Sequence, residues 1–164
     1  MAVEFFVNEV LPLLRGVKLH IIAGANHERF AVGANLDQPA IELEGFVSDV
    51  RPAYQRATLV IAPLIASAGT NIKVLEAMAM GKAVVSTKAG VNGLDLVPTA
   101  HYVLAETATG MADAIESLLS TPATRKMLEE SAKAHVKAIY DWDTIAAAQR
   151  DLYRELIDNR SLLN

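Results

Sequence analysis

Residues 58–87, TLVIAPLIASAGTNIKVLEAMAMGKAVVST, constrain the fold most strongly. Leu59–Ala62 is a short, continuous apolar run, which is typical of a parallel strand covered on both faces. Turn-forming residues follow at 67–71, then apolar residues at helical spacing, and a second apolar run begins at Ala83. This order of strand, glycine loop, helix and strand predicts an α/β fold with a doubly wound parallel sheet.

The loop of this segment is a candidate anion site. In α/β proteins, anions and nucleotides bind where a parallel strand ends and a helix begins. Gly69 and Thr70 would offer backbone amides there, and Lys73 lies one turn into the helix. An ordinary strand-to-helix turn with a solvated lysine explains the same residues. The later glycines of residues 90–93 are interpreted as a flexible loop.

Glu76 is a carboxylate in an otherwise apolar helix. Its neighbours at four residues' distance are Ile72 and Met80, so the pattern places it in their apolar stripe. We predict that it faces the crevice beside Gly69 and Thr70, where a carboxylate can accept both hydroxyls of a ribose. The alternative is a surface glutamate on an amphipathic helix.

Strands and helices alternate along the rest of the chain. The predicted strands are 19–23, 41–47 (near the sheet edge), 59–62, 83–87 and 102–105. The predicted helices are 3–14 (bent near Pro12), 27–34 (with a weak pattern), 50–56, 72–80, 109–119, 123–139 and 144–157. Trp142 is expected to anchor the last helix by burying its ring. The pattern predicts one domain over residues 1–164.

Composition excludes several classes of protein. With 52% hydrophobic and 21% charged residues the chain is globular, and its longest apolar run is too short to cross a bilayer. A net charge of −4 argues against nucleic-acid binding. The chain has no cysteine, and its four histidines show no metal-ligand spacing. Its first residues show no basic region followed by an apolar one, so no signal peptide is predicted. We predict a cytoplasmic protein with no transmembrane segment, no nucleic-acid partner, no metal and no cofactor.

Five sequence blocks together resemble a known family. They are VLPLLR at 10–15, KLHIIAG at 18–24, LEGFV at 43–47, the 58–87 segment and YDWD at 140–143. In this order they are similar to the C-terminal lobe of the family 4 (group 1) glycosyltransferases, which have the two-lobed GT-B fold. The resemblance implies a Rossmann-like, donor-binding lobe of a retaining enzyme, which transfers a hexose from a nucleoside-diphosphate sugar to an acceptor. The N-terminal acceptor lobe is absent from these residues.

The resemblance also assigns residues. The family marks its donor site with two acidic residues eight apart; the second aligns with Glu76 as the ribose-binding residue, and the first aligns with Ala68. Gly69 and Lys73 are similar to a variant that has a glycine-rich loop followed by a basic residue. Phe46 and Val47 match the segment whose backbone meets the nucleobase. No side chain is assigned as a nucleophile or general base.

Two other functions remain open. One is a non-catalytic nucleotide-sugar-binding module or inactive fragment, and the other is a lobe of a sugar-nucleotide epimerase of similar fold. Because half of the donor–acceptor arrangement is absent, we predict that this chain alone does not transfer sugar.

The order of strands raises a question about the sheet. Residues 2–6 resemble the helix that follows the first strand of the fold, and in the order 3-2-1-4-5-6 that strand is central. Without it, the strands at 19–23 and 59–62 would each have an unpaired edge. We expect these two strands to pair directly, giving the order 3-2-4-5-6 and drawing the Gly69 loop toward Gly24. The alternative is a homodimer formed by strand exchange.

Overall fold

The computed structural model describes residues 2–24, 33–67 and 69–161, so most of the predicted helix 27–34 lies outside the described residues. The strands in these ranges are β1 (Leu19–Ile22), β2 (Ile41–Glu44), β3 (Leu59–Ala62), β4 (Ala83–Ser86) and β5 (Val103–Leu104). The α-helices are α1 (Ala2–Phe5), α2 (Arg51–Arg56), α3 (Ile72–Ala79), α4 (Ala108–Ser120), α5 (Pro122–Tyr140) and α6 (Trp142–Ser161). A π-helical turn (Phe6–Val10) and a 3-10 turn (Leu11–Leu13) continue α1, and Pro12 lies in the second of these.

The strands form two parallel sheets. β1 pairs with β2, and β3 pairs with β4, which pairs in turn with β5. Parallel strands joined through helices confirm the predicted α/β fold. Helix α1 precedes β1, α2 connects β2 to β3, and α3 connects β3 to β4. Helices α4, α5 and α6 follow β5.

The predicted direct pairing of β1 with β3 is wrong. Within the described ranges no ladder joins these two strands, and a groove of about 830 Å³ lies between them. The two strands keep the places that they have on either side of the central strand in the order 3-2-1-4-5-6, so they are not neighbours. Phe6 and Leu11 line the groove together with Ile115 of α4, and α2 supplies Ala53 and Tyr54.

The burial of each strand depends on how many neighbouring strands it has. All four residues of β4 are buried, because this strand has a neighbour on each side and helices over both faces. β1 and β3 are equally short and largely apolar, but each of their residues is only partly buried. One unpaired edge on each strand accounts for this difference.

The last helix is less anchored than the sequence suggests. Trp142 was expected to bury its ring, but 82% of the residue is exposed. Helix α6 contacts α5, and its apolar side chains at Leu156 and Ile157 are also exposed. The interpretation of Trp142 as a buried anchor is therefore wrong, because the contact of α6 with α5 does not cover the ring.

Two stacked histidines join α5 to the segment before β5. The ring centroids of His101 and His135 are 3.9 Å apart, and His101 Nδ1 accepts a hydrogen bond of 3.1 Å from the Val97 amide. His135 Nε2 contacts the carbonyl of Asp95. Burial and the neighbouring His135 hold the pKa of His101 below its ordinary value, while the charge of Asp95 acts in the opposite direction.

This pair predicts acid sensitivity. The unfolded chain protonates His101 at a pKa of about 6.5, above that of the folded state, so stability is full above that pH and falls as the pH drops below it. Protonation would also remove the Nδ1 acceptor for Val97. Urea unfolding between about pH 7.5 and 5.5 measures the loss, and His101→Gln should flatten the pH dependence. An unchanged slope in that variant would contradict this account.

Candidate functional site

Helix α3 places Glu76 differently from the predicted pattern. Its buried residues are Val74, Ala77 and Met78, whereas Ile72 is 62% exposed. The predicted apolar stripe through Ile72 is therefore wrong, because β4 and α5 cover an adjacent face of the helix. The side chain of Glu76 is 34% exposed and lies at the margin of the buried face.

Two side chains hold the Glu76 carboxylate. Lys73 Nζ lies 3.1 Å from Oε2 and 3.3 Å from Oε1, and the Tyr54 hydroxyl donates to Oε2 at 3.2 Å. Burial, then the charge of Glu76, raises the pKa of Tyr54 to about 12. Its hydroxyl consequently keeps its proton at neutral pH and can donate to the carboxylate.

Tyr54 was not found from the sequence. It lies on α2, 22 residues before Glu76, and no spacing rule links the two positions. The sequence did offer one indication of this contact. A short helix is predicted directly before β3, and in a parallel fold such a helix packs near the one that follows the same strand.

The predicted nucleobase segment lies in the same region. Phe46 and Val47 follow β2 and line the groove that Tyr54 and Lys73 also line. Phe46 is 83% exposed, so its ring is available to a ligand. The structure thus brings Phe46, Val47 and Lys73 to one groove, and Glu76 is bonded to two of the residues that line it.

The Gly69–Thr70 loop is held by a separate hydrogen-bond network. Ser67 Oγ donates to the Gly69 carbonyl at 3.0 Å. Asn71 Nδ2 donates to the Gly90 carbonyl at 2.8 Å and lies 3.2 Å from Ser67 Oγ. Asn71 occupies the N-cap position of α3, but its side chain makes no capping bond. It fastens the loop to a neighbouring turn instead.

That neighbouring turn is closely packed. Ala89–Val91 forms a 3-10 turn in which Gly90 is buried, so the interpretation of residues 90–93 as a flexible loop does not hold at Gly90. A Cβ on Gly90 would lie 2.2 Å from Ser86 Oγ and 2.5 Å from the Ala62 carbonyl oxygen. The turn therefore presses against the carboxyl ends of β3 and β4.

The predicted position of Glu76 beside Gly69 and Thr70 stays a prediction. The hydrogen bonds of Glu76 join it to Tyr54 of α2 and to Lys73 of α3. Thr70 Oγ1 lies 3.8 Å from a Cβ position on Gly93. Ala68, the aligned first acidic position, lies outside the described residues.

Other kinds of site find no support among the described residues. No group of three histidine, aspartate or glutamate side chains there could hold a metal ion. In the same ranges no helix has the length and apolar character needed to span a membrane.

The family model described as "Glycosyl transferases group 1" matches residues 1–121. No curated protein matches the chain. Among solved structures, sucrose-phosphate synthase from Thermosynechococcus elongatus is similar, with a TM-score of 0.79 and 23% identity over 96% of this chain and 43% of that one. A glycosyltransferase from Rickettsia africae has a TM-score of 0.77 and 20% identity over 96% and 45%.

HepE from Anabaena, solved with UDP, has a TM-score of 0.80 and 18% identity, over 92% of this chain and 44% of its own. The chain thus spans less than half the length of these three proteins. The matched model covers most of the chain, and the structural likeness extends over nearly all of it. The protein belongs to the group 1 glycosyltransferases, and its fold is that of a GT-B C-terminal domain.

Proposed function

We propose that residues 1–164 form one donor-binding lobe of a retaining glycosyltransferase, which uses a nucleoside-diphosphate hexose. The observation that carries the proposal is the Glu76 carboxylate, which is oriented by Tyr54 and Lys73, two residues that line one groove with the exposed Phe46. Uridine nucleotides are the first ligands to test, because HepE has been solved with UDP and with UDP-glucose.

The spacing along α3 suits such a donor. Glu76 lies four residues after Ile72, the first residue of the helix, or about 6 Å along its axis. The ribose hydroxyls would bind Glu76, while the diphosphate would extend toward the helix N-terminus and the amides of Gly69 and Thr70. The nucleobase would lie against Phe46 and Val47.

Lys73 would interact with two parts of the donor, with the ribose through Glu76 and with the diphosphate directly. Its ammonium is paired with Glu76, but the side chain is 77% exposed and so is free to turn toward a phosphate. Tyr54 keeps the carboxylate in place when that happens, because its hydrogen bond does not depend on Lys73. Positive charge at the diphosphate would favour its departure from the hexose.

This lobe would not supply every group that sugar transfer requires. No side chain of this lobe is assigned as a nucleophile or base, and acceptor contacts would come from the other lobe. Because Ala68 stands where the family has its first acid, that residue cannot hold the hexose ring through a carboxylate. Transfer by the isolated chain is not expected.

Calorimetry with UDP, GDP and ADP tests the proposal. Glu76→Ala is expected to weaken binding of the preferred nucleotide by about 1–3 kcal/mol, or roughly 5- to 150-fold, because a charged acceptor for two hydroxyls is lost. Glu130→Ala is the matched control, since Glu130 also pairs with a lysine, Lys126, but on the exposed face of α5. Equal losses in both variants, or none in Glu76→Ala, would refute the ribose assignment.

A further inference from the structure

The Tyr54 hydroxyl has two acceptors on helix α3. Its oxygen lies 3.2 Å from Glu76 Oε2 and 3.4 Å from the Lys73 carbonyl oxygen, and it has one proton to donate. The carboxylate oxygen is nearer and is the stronger acceptor, because it carries charge. The hydroxyl therefore donates to Glu76, and the helix carbonyl is a second acceptor that remains when the carboxylate is removed.

The two oxygens of the Glu76 carboxylate are held differently. Tyr54 donates to Oε2 alone, whereas Lys73 Nζ lies 3.1 Å from Oε2 and 3.3 Å from Oε1. A carboxylate accepts about four hydrogen bonds, two at each oxygen. When Lys73 turns to a phosphate, Tyr54 is the one described side chain still bonded to the carboxylate. Both sites of Oε1 and one site of Oε2 are then open to a ligand.

Tyr54 is better suited than Lys73 to fix the carboxylate. Its ring is half-buried and packs against the cluster of buried side chains that includes Val74 and Met78 of α3. Lys73 carries its charge at the end of a flexible and exposed stem. A packed ring presents its hydroxyl at one place, so Tyr54 restricts the rotation of the carboxylate plane.

One hydroxyl and two hydroxyls make different demands on that plane. A ribose that donates through O2′ and O3′ needs both acceptor sites at set positions, so rotation of the carboxylate weakens both bonds at once. A 2′-deoxyribose donates through O3′ alone and can follow the carboxylate as it turns. A fixed carboxylate therefore favours ribose over deoxyribose much more than a rotating one does.

We propose that Tyr54 is the positioning residue that makes this site selective for ribonucleotides over 2′-deoxyribonucleotides. Its effect passes through Glu76, whose carboxylate would contact the sugar. The inference rests on the proposed function, because it requires Glu76 to bind the ribose of the donor. It adds that recognition of the second hydroxyl depends on a residue of a different helix, α2.

Binding of UDP and 2′-deoxy-UDP to the full chain, measured by calorimetry, tests the proposal; the GDP or ADP pair replaces them if that base binds more tightly. The unmodified chain should prefer the ribonucleotide by at least about tenfold, because the deoxy analogue leaves a charged acceptor unpaired. Tyr54→Phe keeps the packed ring and should reduce this preference to about threefold or less, by weakening the ribonucleotide. Tyr153→Phe is the matched control and should keep the full preference, since it removes a hydroxyl that accepts from Gln149 on α6.

A double-mutant cycle tests whether Tyr54 acts through Glu76. In the Glu76→Ala background, Tyr54→Phe should change ribonucleotide affinity by less than about twofold, because there is no carboxylate left to orient. An unchanged preference in Tyr54→Phe, including equal weakening of both nucleotides, overturns the role of Tyr54, and so do additive losses in the double variant. The donor-site proposal survives those results. If the unmodified chain binds both sugars equally, or binds none of the three ribonucleotides, the ribose assignment falls and the role of Tyr54 falls with it.

Discussion

Replacing Gly90 with alanine is expected to lower the free energy of unfolding by about 3 kcal/mol, the upper end of the range for overpacked interiors. The added methyl group would meet the Ser86 hydroxyl at 2.2 Å and the Ala62 carbonyl oxygen at 2.5 Å. The serine can rotate, but the carbonyl belongs to the backbone of β3 and also accepts from Thr87. The turn must therefore move away from the sheet.

Gly45→Ala is the control for this substitution. A Cβ on Gly45 would meet no atom within 4 Å, so its effect on stability should be small. Urea unfolding of the two variants and the parent, followed by circular dichroism, gives the comparison. Similar stability of Gly90→Ala and Gly45→Ala would show that the turn does not press on β3 as described.

Asn71→Asp is expected to destabilise the fold by about 2–3 kcal/mol, within the cost of leaving polar groups unpaired. The substitution keeps the shape of the side chain but replaces its two N–H donors with an acceptor. The new carboxylate would then face the carbonyl oxygens of Gly90 and Ala89, at the 2.8 and 3.3 Å that Nδ2 occupies now. Repulsion should release the loop before α3.

Asn92 is exposed, so Asn92→Asp makes the same change of charge without these contacts. It should leave the free energy of unfolding nearly unchanged. Measuring nucleotide affinity in the same variants tests the loop directly, whereas unfolding reports on the whole fold. If the Gly69 and Thr70 amides hold a diphosphate, Asn71→Asp should also weaken UDP binding, while Asn92→Asp should not. Normal stability of Asn71→Asp would mean that the Asn71 bonds contribute little.

Local patterns predicted the elements well. The continuous apolar run at Leu59–Ala62 became β3 with those bounds, because Pro63 ends the run and no other periodicity competes. The helix over 72–80 was equally clear, but its buried face was not. Which side of a helix is covered depends on the neighbouring elements, and here β4 and α5 cover Val74 and Met78 rather than Ile72.

Long-range geometry was the harder part. The sequence indicated a missing neighbour for β1 and β3, but it did not reveal that the two strands stay apart, with residues of α2 and α4 lining the groove between them. Tyr54 was missed for a similar reason. Its hydrogen bond to Glu76 joins α2, which precedes β3 in the chain, to α3, which follows β3. Glu76, Lys73, Phe46 and Val47 were proposed as site residues because the family resemblance supplied an arrangement that periodicity does not encode, and their roles stay predictions.

The exposed indole of Trp142 determines what fluorescence can report. It is the only tryptophan of the chain, and water already surrounds most of its ring in the folded protein. Its emission should therefore change little when the core around Met78 and Val84 melts. A shift to shorter wavelength would instead signal that another surface has covered the start of α6, so the native chain carries a spectroscopic probe for that event and not for its own folding.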